Sequence, residues 1–344
     1  MVRHQDHAAD HHAGPRRAVR LLTPLLALLA GLLPAQAEPG RPFLAYHTSW
    51  SETPATTPEE TSIARLPGYY THVALSFVKP DLVYPGGLDL SATGLQYPYS
   101  GAVLKDAIAL LKARHPAMRV LLSVGGSTYL RWDALNVDAL VRLVRDLGAD
   151  GVDIDYETGQ PGCAALPSGR IQCSSDALSV QVVEAIRAAL PPPFAVAAAG
   201  WSVGAYGEGN FVSARPRSPW TGSMLAMLRS PAGQSLDLVT IMSYDAGPSY
   251  RPDEALRAYR AYYKGPLALG IQVQPGTSGG PRFTLDYTVR MLRSVESDPQ
   301  AGAMLYGLRL APPGPPGPDN PDYRALSTAT CVALRLADCF ASVP

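Results

Sequence analysis

The stretch DGVDIDYE places four carboxylates, Asp150, Asp153, Asp155 and Glu157, within eight residues. The residues between them include Val152, Ile154 and Tyr156, which belong in a buried strand. Unpaired carboxylates are among the most expensive groups to bury, so a strand that carries them has a chemical use for them. Side chains alternate across a strand; Asp153, Asp155 and Glu157 therefore share one face, while Asp150 has the opposite parity and reads as structural. Three stacked carboxylates repel, and the escape is for one to hold a proton with its neighbours hydrogen-bonded to it. Such a column keeps a terminal acid protonated near neutral pH, as general acid catalysis requires. Glu157, last in the column, is the expected acid. Oxygen ligands would also suit Ca²⁺ or Mg²⁺, but strand spacing makes the three awkward ligands for one ion. Neither a metal nor a cofactor is expected.

Something must hold that strand, and the rest of the chain supplies it. Eight apolar, β-rich runs recur: Phe43 to Trp50, Thr71 to Val78, Met118 to Gly126, Gly151 to Glu157, Phe194 to Trp201, Leu236 to Tyr244, Leu267 to Val273 and Gly302 to Leu310. Amphipathic stretches such as AVLKDAIALLKAR, DALVRLVRDLG, LSVQVVEAIRAAL and DYTVRMLRSVES lie between most of them. Alternating strands and helices point to parallel βαβ units, and near-continuous apolar runs are what strands covered on both faces look like. Eight such units predict an α/β fold, a (β/α)₈ TIM barrel. A doubly wound open sheet is the competing architecture, but it would need a nucleotide fingerprint near its first turn, and none is present. In a barrel the acidic column points inward and Glu157 emerges at the C-terminal rim, where barrel enzymes place their chemistry.

The chain has 344 residues, 47% of them hydrophobic and 17% charged, with a formal net charge of zero. That composition suits a folded chain with a large core and gives no reason to expect nucleic acid as a partner. At the N-terminus, Arg16, Arg17 and Arg20 precede the apolar run Leu21 to Leu33, and Ala35-Gln36-Ala37 follows. Residues 1–37 thus read as a secretory signal peptide, with 38–344 as one catalytic domain, exported to the periplasm or the extracellular space and free of the membrane after cleavage. The His-rich segment near Met1 falls inside the part to be removed. Four cysteines agree with an oxidising compartment. Of the possible pairings, the local ones, Cys163 with Cys173 and Cys331 with Cys339, are favoured because sequence neighbours are most easily brought together. The segment Ala311 to Asp322, rich in Pro and Gly, reads as a stiff loop before the last helix, since too few residues follow it for a further domain.

DGVDIDYE matches the D-x-x-D-x-D-x-E signature of family 18 glycoside hydrolases, the chitinases and their relatives, at all four acidic positions. LLSVGG (with Ser123, Gly125 and Gly126) resembles the family's S-x-G-G at the third strand, and MSYD (Met242 to Asp245) its M-x-Y-D at the sixth. LAYHTSW resembles the first-strand pattern that supplies a tyrosine, here Tyr46, to the floor of the sugar site. The resemblance implies retaining hydrolysis without an enzyme nucleophile, since this family is substrate-assisted. Glu157 would protonate the glycosidic oxygen, Asp155 would orient the acetamido N–H, Asp153 would hold Asp155, and Tyr244 would donate its hydroxyl to the acetamido oxygen. Asp245 and Met242 would bind sugar nearby, with Phe77 as a subsite wall. Gly125 and Gly126 are expected to let backbones approach closely rather than to touch substrate.

One position departs from the family pattern: the eighth strand usually offers a tryptophan on which the scissile sugar stacks, and here the candidate is Tyr306. The 28 residues between Val273 and Gly302 leave no room for the α+β insertion that walls the groove in many exo-acting relatives. A shallow, open, endo-acting cleft on a single domain is the expectation, in a protein acting as a monomer on N-acetylglucosamine-containing glycans. Three functions compete: a secreted chitinase, an endo-β-N-acetylglucosaminidase cutting the chitobiose core of N-glycans, and a carbohydrate-binding lectin on the same scaffold. The last would be expected to lack the final acid, and Glu157 is present.

Overall fold

Eight parallel strands close into a barrel in the computed structural model, which describes residues 40–274 and 281–344. Around the ring they follow chain order: β1 (Phe43–Thr48), β2 (His72–Val78), β3 (Arg119–Gly125), β4 (Gly151–Asp155), β5 (Ala195–Trp201), β6 (Leu238–Met242), β7 (Leu267–Gln272) and β8 (Ala301–Leu308), which pairs back onto β1. Nearly every strand residue is buried, as strands covered on both faces must be. The expected (β/α)₈ barrel is what forms, and Pro39–Pro344 is one compact unit. The proposed signal peptide, residues 1–37, lies outside the described residues.

Helices α1 (Gly101–Arg114), α2 (Val137–Leu147) and α3 (Asp176–Ala189) follow the second to fourth strands. Two short pieces, α4 (Leu225–Arg229) and α5 (Pro231–Gln234), follow β5, and α6 (Pro252–Tyr262), α7 (Leu285–Leu292) and α8 (Tyr323–Ala333) complete the ring. Alternation fails once. Between β1 and β2 the chain makes only 3₁₀ turns, at Ser49–Ser51, Pro58–Glu60 and Ile63–Arg65. Pro54, Pro58 and Pro67 account for this, because proline removes a helical donor and clashes with the preceding turn.

The strands separate two apolar layers. Leu44, Ala74, Leu121, Ala197, Leu238, Ala268 and Met304 fill the barrel interior, whereas Val73, Leu75, Val120, Leu122, Val152, Ile154, Val239 and Ile241 face the helices. Period-two alternation thus sends Val152 and Ile154 outward and leaves the inward positions of β4 to Asp153 and Asp155. Arg41, just before β1, closes the seam with β8: its guanidinium donates to the carbonyls of Val295, Glu296, Asp298 and Ala301 at 2.6–2.8 Å.

Both local disulfides are present. Cys331–Cys339 ties α8 to the tail behind it, and Cys163–Cys173 clamps a two-stranded hairpin, Cys163–Ala165 against Ile171–Cys173, inserted between β4 and α3. The segment 311–322 is a loop leading into α8. Among the described residues, no helix is long and apolar enough to cross a membrane, and no group of three or more His, Cys, Asp or Glu could hold a metal ion.

Candidate active site

The strand β4 ends at Asp155, and Glu157 stands just beyond it, where the chain leaves the barrel. Register places Asp153 beside Ser123 and Asp155 beside Gly125. Asp153 is fully buried; its Oδ2 accepts from the Tyr46 hydroxyl at 2.9 Å and from Ser123 Oγ at 2.7 Å. Asp155 is 5% exposed. The hydrogen bonding expected between neighbouring carboxyls is replaced by these two hydroxyl donors, and Oδ1 of both aspartates is buried without a partner. Two buried acceptors left without donors are costly as anions, and protonation within the column relieves that cost.

The electrostatics agree. Burial raises Asp153 to about 6, against the two hydroxyls that favour its charged form. Asp155 is raised well above the usual carboxylate range, first by burial and then by the charges of Glu157 and Asp153. Burial pushes Glu157 to about 7. A carboxyl poised there is suited to give and take a proton at neutral pH.

Asp155 and Glu157 line a cavity of about 640 Å³ over the C-terminal mouth of the barrel. Phe77, Met242, Tyr244, Asp245 and Tyr306 line it as well. Tyr244 stacks against Tyr306 with centroids 6.1 Å apart, and its hydroxyl is held far from ionising by burial and the nearby Asp155 charge. Asp245 takes a left-handed conformation, φ 50°, which aspartate tolerates better than most residues, and its Oδ2 accepts from Gln272 Nε2 at 3.2 Å.

Other sequence-derived site residues fall elsewhere. Tyr46, expected at the sugar-site floor, is 1% exposed and outside the cavity lining, with its hydroxyl committed to Asp153. Its ring packs beneath Phe77 and Tyr306, with centroids 6.1 and 5.9 Å away. Asp150 lies at the opposite end of β4, where Oδ1 pairs with Lys112 Nζ at 2.7 Å and Oδ2 accepts the Val120 N–H at 2.9 Å. Ser123 supports a carboxylate directly. Gly125 has φ 104°, and a Cβ there would lie 2.3 Å from the Asp155 carbonyl oxygen; one on Gly126 would meet the Phe77 ring at 3.1 Å.

Among the cavity residues that the sequence did not mark are Trp201, Arg217, Trp220 and Gln272. Gln272, the one polar side chain of β7, and Trp201, closing a strand of alanines, both sit at C-terminal strand ends, and that position was a usable signal. Arg217 and Trp220 lie in the irregular chain between β5 and α4, where no periodicity marks them.

A profile of glycosyl hydrolases family 18 matches residues 43–292. A chitinase of Plasmodium falciparum is 43% identical over 97 residues, covering 25% of this chain and 25% of that protein. Chitinase B of Serratia marcescens is 31% identical over 164 residues, covering 42% of this chain and 29% of that protein. The matches therefore span less than a third of either curated relative. In fold, the chain is similar to a family GH18 chitinase from Chromobacterium violaceum, with a TM-score of 0.59, 16% identity, and 86% and 83% of the two chains covered.

Proposed function

The chain belongs to glycosyl hydrolases family 18, and from that premise we propose that it is a secreted hydrolase cutting β-1,4-linked N-acetylglucosamine polymers with retention of configuration. One observation carries the reading: Glu157 lines the cavity at the end of an inward carboxylate column and is held by burial at about 7.

The sugar donating the bond lies over Tyr306, with its acetamido group toward Asp155 and Tyr244. Glu157 gives its proton to the glycosidic oxygen as the bond from that oxygen to the anomeric carbon breaks. The acetamido carbonyl oxygen forms a bond to the same carbon from the opposite face, and positive charge spreads over the resulting oxazolinium ring. Asp155 accepts the acetamido N–H and balances that charge, while the Tyr244 hydroxyl donates to the carbonyl oxygen. Water then attacks the anomeric carbon, its proton passes to Glu157, and the ring reopens to a product of retained configuration. An intramolecular nucleophile avoids the entropy of recruiting a second group.

Chitin is favoured over N-glycans because both curated relatives are named chitinases. An endo mode is favoured by the short β7–β8 connection, whose described residues form α7 and one 3₁₀ turn, Arg293–Val295, and no walling insertion. Residues 1–37 serve export in this reading, and the enzyme acts as a monomer.

The test incubates wild type and Glu157→Gln with chitin oligosaccharides and with a high-mannose glycoprotein. The expected result is internal cleavage of the oligosaccharides, falling by about 10²–10⁴-fold in the variant, the range a general acid contributes. Equal activity in both proteins would remove Glu157 as the acid. Cleavage of the glycoprotein alone would make the chain an N-glycan endoglycosidase, and binding without cleavage would make it a lectin.

A further inference from the structure

Trp201 and Trp220 stack on each other, centroids 4.6 Å apart and planes 24° from parallel, and both line the cavity beside Arg217. The other rings of the mouth form a separate run: Trp50 on Phe77, Phe77 on Tyr306, Tyr306 on Tyr244. That run rises from β1, β2, β8 and β6. The tryptophans stand at β5, the strand next to β4 and Glu157. Trp220 is tied to the acid's own segment, because its Nε1–H donates to the Thr158 carbonyl at 2.9 Å.

The loop that carries Trp220 is built rather than loose. Glu208 in it accepts the Ile171 N–H at 2.6 Å and pairs with Arg229 at 2.6 Å. The Ile171 side chain, from the disulfide-clamped hairpin, fills the space over Gly207 and Gly222. A Cβ on Gly222 would come within 2.6 Å of it, and Gly222 has φ 86°.

We infer that Trp220, flanked by Trp201, is the platform for the sugar on the leaving-group side of the scissile bond, with Arg217 donating to that sugar's oxygens. The inference rests on the function proposed above. With Tyr306, Tyr244 and Asp155 surrounding the sugar that reacts, the proton of Glu157 goes to the oxygen beyond it. The next sugar along the chain then meets the indole faces at β5. The ligand class is a neutral N-acetylhexosamine unit, whose apolar ring face suits an indole and whose hydroxyl and acetamido oxygens suit a guanidinium.

The test compares Trp220→Ala and Trp220→Phe with wild type on two donors. Chitotetraose places a sugar on the leaving side, whereas the 1,2-oxazoline of chitobiose carries no leaving sugar but still needs Glu157 and Asp155. The expected result for Trp220→Ala is a loss of kcat/KM on chitotetraose about tenfold larger than any loss on the oxazoline, the scale of a deleted apolar pocket contact. Trp220→Phe should recover most of it, and transfer from the oxazoline to chitobiose as acceptor should fall with the alanine. Equal losses on both donors would mean that Trp220 only braces the acid, and no loss on either would mean there is no subsite; both overturn the inference. Should wild type cleave neither donor, the proposed function fails, and quenching of indole fluorescence by chitotetraose decides the subsite alone. Quenching reduced in Trp220→Phe supports it, and unchanged quenching overturns it.

Discussion

Burial holds Glu157 at about 7, well above an ordinary glutamate, so the protonated form persists toward neutral pH. Its acid role needs the protonated form, and kcat/KM is expected to fall as pH rises through about 7, which a pH–rate profile on chitotetraose would show. The same burial acts on stability. The native pKa lies above the ordinary value of 4.5, so the native state holds more protons than the unfolded chain between these values, and stability falls as pH rises across that window. Glutamine cannot ionise. Glu157→Gln should therefore match wild type in denaturant midpoint at pH 4 and exceed it by about 3 kcal/mol at pH 9, since a tenfold change in an ionisation constant corresponds to about 1.4 kcal/mol. A variant that is less stable than wild type at pH 9 would contradict burial as the cause. Tyr46 and Ser123 show what spacing alone misses: both come from other strands, and only closure of the barrel delivers their hydroxyls to Asp153.

The hairpin between β4 and α3 extends this logic to a whole element. It follows directly on the acid, is clamped by Cys163–Cys173, and presses Ile171 into the loop of Trp220. In the chain-entropy view a disulfide closing so short a loop is worth about 2–3 kcal/mol. Here that loss falls on an outlying hairpin rather than on the barrel. Replacing both cysteines by serine should leave the thermal transition within a few degrees of wild type, while KM for chitotetraose rises several-fold and turnover of the chitobiose oxazoline holds. A collapse of the melting temperature by tens of degrees would instead make the hairpin part of the barrel's own stability. The pairing was legible from sequence proximity; the hairpin was not, because three-residue strands carry no measurable alternation. Prolines erased the first helix in the same way, as a local effect overriding the repeat.

Closure of the ring belongs to the molecule as a whole. β1 and β8 are the most distant strands in sequence, and Arg41 bridges their neighbourhood through four backbone carbonyls. Removing it deletes four charged hydrogen bonds, although the Val295 and Asp298 carbonyls keep the N–H donors of Asp298 and Ala301, and hydrogen bonds from charged groups contribute about 1.5–3 kcal/mol each at most. Arg41→Ala should lower unfolding stability by about 2–4 kcal/mol in urea melts, with kcat/KM per folded molecule within about twofold of wild type, because Arg41 lies at the barrel end opposite the mouth. A selective fall in kcat/KM without loss of stability would place Arg41 in the chemistry instead.

The sequence by itself determined what depends on local alternation. It set eight strands, the inward parity of Asp153, Asp155 and Glu157, the outward parity of Val152 and Ile154, and both local disulfides. These follow from a period of two and from short chain separation. The tertiary structure alone decided what depends on neighbours distant in sequence. Tyr46 moved from sugar floor to carboxylate support because the ring turns its hydroxyl toward Asp153. Trp201 and Trp220 met because β5 and its loop fold back over Glu157, held by Ile171. The proton expected from charge repulsion has burial as its first cause, since a carboxyl's pKa is set by the low-polarity surroundings that the closed barrel creates. The feature that began as four acids in an apolar strand is thus a strand by its own pattern and an acid site by the company the barrel gives it.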